Sequence, residues 1–211
     1  MSTLGTLKSE ISDDLARTDL STQIAAAITA AINHYKARRL YFNETRSATW
    51  VTVAAQSDYT SADDADIPLF LKLDDVFLED SDSRSFRLTR ADPVDLEIWL
   101  DSDAPSDQPY AYAYINRTFR LYPIPDAVYT IRPVGHIELA APAADDTADN
   151  AWMTEAYELL RCRAKWFLYL HVIKKPDMAE LMHMAEMEAL SKLGGATTDR
   201  VASGTIRKTS W

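Results

Sequence analysis

Apolar side chains recur at every third or fourth position near the start of the chain, which is the pattern of an amphipathic helix. Within residues 21–40 the apolar stripe consists of Ile24, Ile28, Ala31, Ile32 and Tyr35. Ser21 or Thr22 is expected to cap the first free amides of this helix, and the alanine run at 25–27 has high helix propensity. A shorter helix is predicted within residues 3–15. The chain is therefore expected to begin with two helices.

The middle of the chain alternates apolar and polar residues, and this period of two is typical of strands. Strands are predicted at residues 45–53, 69–78, 85–88, 110–115, 119–121 and 128–139. Asn116-Arg117 is a tight-turn dipeptide between two of these strands. A short helix is expected to open at Asp92-Pro93, because the missing amide of a proline has no cost in the first turn. The middle section is predicted to be a small antiparallel sheet with long acidic loops.

The last third of the chain returns to helical periodicity. Residues 151–173 are predicted to form one long helix, which Asn150 caps and whose broad apolar surface places it in a core. A second helix is predicted from Pro176 to the pair Gly194-Gly195, which should end it because glycine adopts the left-handed conformation at little cost. Residues 196–211 are small, polar and weakly basic, so we expect them to stay free of the fold.

The order of these segments predicts the fold class, an α+β protein that is mainly helical. The N-terminal helix and two C-terminal helices are expected to form a helical platform with a small antiparallel β-rich insertion. Residues 1–195 would be a single domain, helical at 1–42 and 150–193, with the β-rich acidic insertion at 45–140. Residues 196–211 would be an extended, flexible C-terminal tail.

Charge is concentrated in the middle of the chain. The 211 residues have a net charge of −10, and residues 55–110 contain 15 acidic but only 4 basic side chains. Binding to nucleic acid phosphates needs clustered lysine and arginine, so this balance argues against a protein that wraps DNA. It is compatible with DNA that passes nearby without being held. A solvated acidic surface that keeps the protein soluble is an equally good interpretation.

Composition also excludes several classes of protein. A single cysteine, Cys162, rules out an intramolecular disulfide framework and a thiolate zinc cluster. No apolar run approaches the ~20 residues that cross a bilayer. The first residues lack the basic and apolar segments of a secretion signal. We therefore expect a soluble protein that is made in a cytoplasm.

No constellation of residues in the sequence indicates catalysis, and neither a cofactor nor a metal is expected. The 4 histidines lack zinc-binding spacing, and 5 scattered glycines cannot build a phosphate-binding loop. Arg161 and Arg163 flank Cys162 and would lower the pKa of a thiol beside them, although a mid-helix cysteine is more often a small core residue. Aspartates are abundant in residues 58–107, so a pair of catalytic carboxylates stays open as an alternative.

Two features of the C-terminal region indicate a partner. Methionines share one predicted helix with His183, which fits either packing or an adaptable partner-binding groove. They are Met178, Met182, Met184 and Met187. In the tail, apolar anchors would make little sense in a purely solvated segment, and basic side chains would complement an acidic partner surface. The candidate partner-binding residues are Arg200, Val201, Ile206, Arg207, Lys208 and Trp211.

Three blocks of the sequence resemble head-to-tail adaptor proteins of tailed bacteriophages, also called connector, head-completion or tail accessory proteins, which have relatives in gene transfer agents. The blocks are HYKARRLYFNET at residues 34–45, LYPIP at 121–125, and NAW at 150–152 followed by AYELLRCRA at 156–164. Their order and spacing cover most of residues 20–175. The resemblance implies a mostly helical subunit with a β-rich elaboration and no catalytic motif.

The resemblance also implies a location and partners. Twelve copies would form a ring under the portal protein, extend the DNA channel and offer a docking surface to tail or nozzle proteins. DNA would pass through without specific binding, and no membrane would be involved. We therefore expect a structural virion protein at the head–tail interface, assembled in the host bacterial cytoplasm, with residues 196–211 docked onto the portal. The alternatives are a carboxylate-dependent hydrolase of cell-wall glycan and a generic bacterial interaction module.

Overall fold

The computed structural model describes residues 2–101, 104–147 and 149–201, the last three by their backbone alone. The chain divides into two compact units. The first, which we call the helical unit, comprises Met1–Asn43 and Leu139–Trp211. The second, the sheet unit, comprises Glu44–Glu138. Each unit has a hydrophobic core of its own.

The regular elements follow one another as helices, strands and helices. The helices are α1 (Leu4–Leu15), α2 (Ser21–Tyr35), α3 (Pro93–Asp101), α4 (Ala151–Thr154), α5 (Tyr157–Phe167) and α6 (Pro176–Val201). A 3₁₀ turn at Tyr41–Asn43 follows α2, and a π-helical segment at Leu168–Ile173 continues α5. The strands are β1 (Glu44–Thr45), β2 (Trp50–Val51), β3 (Asp58–Tyr59), β4 (Phe70–Glu79), β5 (Ser85–Arg87), β6 (Thr89–Arg90), β7 (Ala111–Ile115), β8 (Thr118–Tyr122) and β9 (Thr130–Ile137).

The helical unit is held together by the apolar stripes of α1, α2 and α5. The whole stripe predicted for α2 is buried, and it packs in one cluster with Leu7 and Ile11 of α1 and Leu160 of α5. Thr3 begins α1 with a capping box, in which its Oγ1 accepts a hydrogen bond from the Thr6 N–H. Burial of one leucine-sized side chain is worth about 1.5–3 kcal/mol, so this cluster is the main source of the unit's stability.

The prediction of a single helix over residues 151–173 is wrong, because the structure breaks this segment into three pieces. Asn150 caps α4 as expected, and its Oδ1 accepts a hydrogen bond from the Trp152 N–H at 3.0 Å. However, α4 ends after one turn, and a short gap precedes α5. At the other end, the wider π-helical turn brings Leu168 and Tyr169 into the buried region together.

The helix that was expected to end at Gly194-Gly195 continues to Val201, so that prediction is wrong. Neither glycine has a positive φ. A tertiary contact holds the helix beyond them: Thr197 Oγ1 accepts a hydrogen bond from the Tyr41 N–H at 3.3 Å and donates one to the Leu193 carbonyl at 2.8 Å. Contact with the 3₁₀ turn therefore outweighs the poor helix propensity of glycine. The first residues of the expected extended tail are helical.

The sheet unit contains two sheets instead of the predicted small antiparallel sheet. One has the strand order β1-β9-β4-β5, with β2 also paired to β9, and the other has the order β3-β8-β7-β6. The pairing of β6 with β7 is parallel, and the other described pairs are antiparallel. With 43% helix and 21% strand the molecule is not mainly helical, so this part of the predicted fold class is wrong. Strands of two residues, such as β3 and β6, are too short to show alternation in the sequence.

Alternation along the longer strands builds the core of the sheet unit. Its completely buried strand residues include Val76, Leu78, Phe119, Leu121 and Ile131. Gly135 of β9 lies so close to β4 that a Cβ atom there would be 2.2 Å from the Lys72 carbonyl oxygen. The predicted turn at Asn116-Arg117 is confirmed, since both residues have the positive φ that a tight hairpin requires.

Leu160→Asp tests the core of the helical unit. Leu160 is fully buried on α5, and an unpaired buried carboxylate costs several kcal/mol, so we expect this variant not to give soluble folded protein. Leu181→Asp is the matched control, because Leu181 is 54% exposed on α6. Soluble yield and thermal unfolding by circular dichroism compare the two. Cooperative unfolding of soluble Leu160→Asp protein would show that the core lies elsewhere.

Gly194→Ala and Gly195→Ala are expected to stabilise the C-terminal part of α6. An added Cβ meets nothing within 4 Å at either position, and alanine exceeds glycine in helix propensity by about 1 kcal/mol. Slower amide exchange of residues 194–198 would report the gain. Gly135→Ala is the opposing control and should lower the thermal midpoint, since its Cβ has no room. Unchanged exchange in both α6 variants would contradict a helical conformation at these glycines.

Candidate partner-binding site

The outer surface of α6 has an apolar stripe. On the inner side of the helix Ala179 and Glu186 are buried, and Leu190 packs against the core. On the outer side, large apolar side chains recur at a spacing of three and are 37–64% exposed. We call this set the methionine stripe: Met178, Leu181, Met184 and Met187. Unbranched methionine side chains adapt to differently shaped partners, so their exposure favours partner binding over packing.

The rotation of α6 is set by the carboxylate of Glu186, whose side chain is only 2% exposed. The Tyr35 hydroxyl of α2 donates a hydrogen bond to its Oε1, and Arg163 Nη1 of α5 donates to the same oxygen at 3.2 Å. His183 Nδ1 lies 3.3 Å from the other oxygen, Oε2. Burial, together with the hydrogen bond to Glu186, raises the pKa of Tyr35, so the phenol remains a donor. A buried carboxylate needs such partners, and here they come from both neighbouring helices.

Arg163 connects this carboxylate to an aromatic ring and a histidine. Its guanidinium carbon lies 4.2 Å from the centre of the Trp166 ring, which is a cation–π arrangement. Its Nη2 is 3.4 Å from Nδ1 of His34 on α2. Burial and the positive charge of Arg163 lower the pKa of His34, which keeps the imidazole neutral near pH 7. The helices α2, α5 and α6 are therefore joined by one polar network.

A groove runs between α5 and α6 and encloses about 400 Å³. Its floor is apolar and consists of Leu159, Ala185, Ala189 and Leu193. Its rim carries carboxylates, of which Glu155 accepts a hydrogen bond from the Tyr41 hydroxyl. Glu188 Oε1 forms an ion pair with Lys192 Nζ at 2.8 Å. Glu158 Oε2 lies further from its nearest cation, at 3.6 Å from Arg161 Nη1. The result is an apolar channel with an acidic edge at the start of α5.

Cys162 is a core residue and not an activated thiol. It is 4% exposed, and burial raises the pKa of its thiol to about 12. The positive charge of Arg161 lowers this pKa but is outweighed by burial and by the carboxylate of Glu158, because residues one position apart on a helix point in different directions. Arg161 turns to Asp14, with Nη2 at 2.7 Å from Oδ2, and Arg163 turns to Glu186. The expectation of a lowered pKa is wrong, and the core interpretation is confirmed.

The sheet unit holds the whole net charge of the chain. Glu44–Glu138 contains 18 acidic and 8 basic residues, whereas the helical unit contains 14 of each. Arg120 of β8 binds two of these carboxylates at once, Asp58 with Nε to Oδ1 at 2.9 Å and also Glu97. Arg120 thereby connects β8 to Asp58 on β3 and to Glu97 on α3. This arrangement gives no support to a pair of catalytic carboxylates at these positions.

A family profile described as SU10 adaptor protein matches residues 2–209, nearly the whole chain. The chain belongs to the SU10 adaptor protein family. A search among curated proteins found no match. The resemblance to head-to-tail adaptors is confirmed: the chain is a bacteriophage adaptor protein and a virion component. Membership indicates a structural role and implies phage portal and tail proteins as partners.

The candidate residues predicted from the tail lie at or beyond the end of the described part of the chain. The backbone of Arg200 and Val201 forms the last turn of α6. The remaining candidates, Ile206, Arg207, Lys208 and Trp211, lie outside the described residues. Sequence reasoning identified the methionines of the stripe but missed the groove. The carboxylates at its rim come from two helices, and only their packing shows that they face each other.

Other kinds of site find little support in the part of the chain that the structure describes. Among the described residues no group of three or more His, Cys, Asp or Glu side chains could hold a metal ion. His34 and His183 belong to the Glu186 network, and His171 packs against Phe167, with ring centres 4.7 Å apart. No described helix combines the length and apolar character that a bilayer span needs.

Glu186→Ala is expected to destabilise the protein by about 3 kcal/mol, because removing one partner of a buried ion pair leaves the other without compensation. Glu188→Ala is the matched control two positions along the same helix, where the exposed pair with Lys192 should contribute less than about 1 kcal/mol. Urea unfolding measures both. Equal effects of the two substitutions would contradict a role for Glu186 in fixing α6.

Proposed function

We propose that twelve copies of this adaptor protein form a ring beneath the portal, extend the DNA channel and present the attachment surface for tail or nozzle proteins. The observation that carries the proposal is the family match over residues 2–209. Assembly would take place in the host cytoplasm. The methionine stripe supports a protein that binds other proteins, since soft apolar side chains on a surface suit protein contacts.

The charge distribution supports a channel through which DNA moves. The sheet unit has an excess of acid, and residues 55–110 alone contain 15 acidic and 4 basic side chains. A wall of this charge repels the phosphates and releases few counterions, so DNA slides past without being retained. In this proposal the acidic loops border the channel, and DNA is not bound specifically.

The portal contact in this proposal is made by the end of α6 and the residues after it. α6 has 26 residues, about 39 Å at 1.5 Å per residue, and leads directly to the segment 202–211. The docking residues are Arg200, Val201, Ile206, Arg207, Lys208 and Trp211. A desolvated aromatic side chain contributes more to such a contact than a charge at its rim. Ring symmetry strengthens it further, because each engaged subunit raises the effective concentration of its neighbours.

Trp211→Ala and Lys208→Ala test the portal contact. Loss of the aromatic anchor should weaken binding to purified portal rings by at least about 30-fold, since an anchor residue is worth about 2 kcal/mol or more. Lys208→Ala should weaken binding only about fivefold or less, as expected for a rim charge. Sedimentation with portal rings measures both, and electron microscopy of the complex counts the copies. Full occupancy by the Trp211→Ala protein would contradict docking through this segment.

A further inference from the structure

The groove between α5 and α6 has the properties of a peptide-binding channel. Leu159 on its floor is 1% exposed, and the small side chains of Ala185 and Ala189 leave room above α6. Glu155 and Glu158 mark one end as acidic, with side chains that face solvent. Lys192 pairs with Glu188 at 2.8 Å, and the groove lining as a whole contains three glutamates and one lysine, so it keeps an excess of negative charge. A segment that combines apolar side chains with positive charge would complement this surface.

The chain contains such a segment directly after α6. Residues 202–211 read ASGTIRKTSW, with two basic side chains and no acidic one. Ile206 and Trp211 supply apolar groups on either side of Arg207 and Lys208. No lysine or arginine other than these two occurs in the segment. Its charge and apolar residues therefore match the groove.

The lengths of helix and chain also agree. Leu193 lies 8 residues before the end of α6, about 12 Å at 1.5 Å per residue, and Ala185 lies about 24 Å before it. An extended chain covers about 3.3 Å per residue, so residue 207 can reach about 20 Å from Val201 and residue 211 about 33 Å. If the segment reverses direction after α6, Arg207 and Lys208 can therefore reach the glutamates at the near end of the groove. Trp211 can then reach Ala185, which lies further along it.

We propose that, in the free subunit, residues 202–211 fold back along α6 and occupy the α5–α6 groove of their own chain. Arg207 and Lys208 lie against Glu155 and Glu158, and Trp211 covers the apolar floor near Ala185. The connection through α6 gives the segment a high effective concentration, which favours its own groove over that of another copy. This contact does not depend on the portal. Only its release upon assembly rests on the proposed function. Docking in the groove would keep Trp211 covered until a portal is present.

Carbodiimide cross-linking of the full chain at low concentration tests the proposal, because this reagent joins an amine to a carboxylate in direct contact. Lys208 should be linked to Glu155 or Glu158, as identified by mass spectrometry. The pair Lys192–Glu188, at 2.8 Å, is an internal positive control. Trp211→Ala should lower the yield of the Lys208 links about tenfold while leaving the control link unchanged. A control link without any Lys208 link to the groove would overturn the proposal.

A mixture of isotope-labelled and unlabelled chains identifies which copy supplies the segment. Links within single chains have uniform isotope composition and are the expected result, whereas mixed links would show that a second copy occupies the groove and would overturn the proposal.

Amide exchange of residues 202–211 provides an independent measurement that does not depend on a reactive carboxylate. We expect exchange to be about tenfold faster in a Glu155→Gln/Glu158→Gln protein than in the unsubstituted chain. Asp177→Asn/Glu180→Gln is the matched control, since these exposed carboxylates lie near the start of α6 and do not line the groove. Equal exchange in all three proteins would contradict docking. Portal binding is not used in either measurement, so failure of the portal contact leaves this result interpretable.

Discussion

The buried carboxylate of Glu186 fixes the orientation of α6, and the surface of the helical unit follows from it. A charge in this position must be compensated, because its desolvation costs several kcal/mol. Tyr35 of α2 and Arg163 of α5 supply that compensation, so α6 can pack in only one rotation about its axis. This rotation turns Ala179 inward, leaves the methionine stripe exposed, and forms the groove between α5 and α6.

The C-terminal part of α6 depends on a second, weaker constraint. Two successive glycines would favour the end of a helix, and each lowers helix stability by about 1 kcal/mol relative to alanine. The hydrogen bonds of Thr197 to Tyr41 and Leu193 hold the helix in place beyond them. The contact with the 3₁₀ turn thus supports the helix on the far side of the glycine pair.

The helical unit and the sheet unit differ in their net charge. The helical unit has equal numbers of acidic and basic residues, and several of its charges form specific ion pairs such as Arg163–Glu186. The sheet unit has all of the net negative charge. This division suits an adaptor of the SU10 family, because protein contacts require matched surfaces, whereas DNA that must move needs a surface to which it does not adhere.

The sequence by itself determined those features that a segment's own residues decide. The stripe of α2, the Asn150 cap and the turn at Asn116-Arg117 were predictable, because periodicity, capping and turn geometry are local. The relation to phage adaptors was indicated by the resemblance of three sequence blocks to that family. Only the tertiary structure decided the rest. Thr197 extends α6 by bonding to Tyr41, 156 residues away in the chain, and two-residue strands exist because a partner strand completes their hydrogen bonds. The partners of Glu186 and the two walls of the groove also come from separate helices, and the pattern of one helix does not show which face of another it will meet.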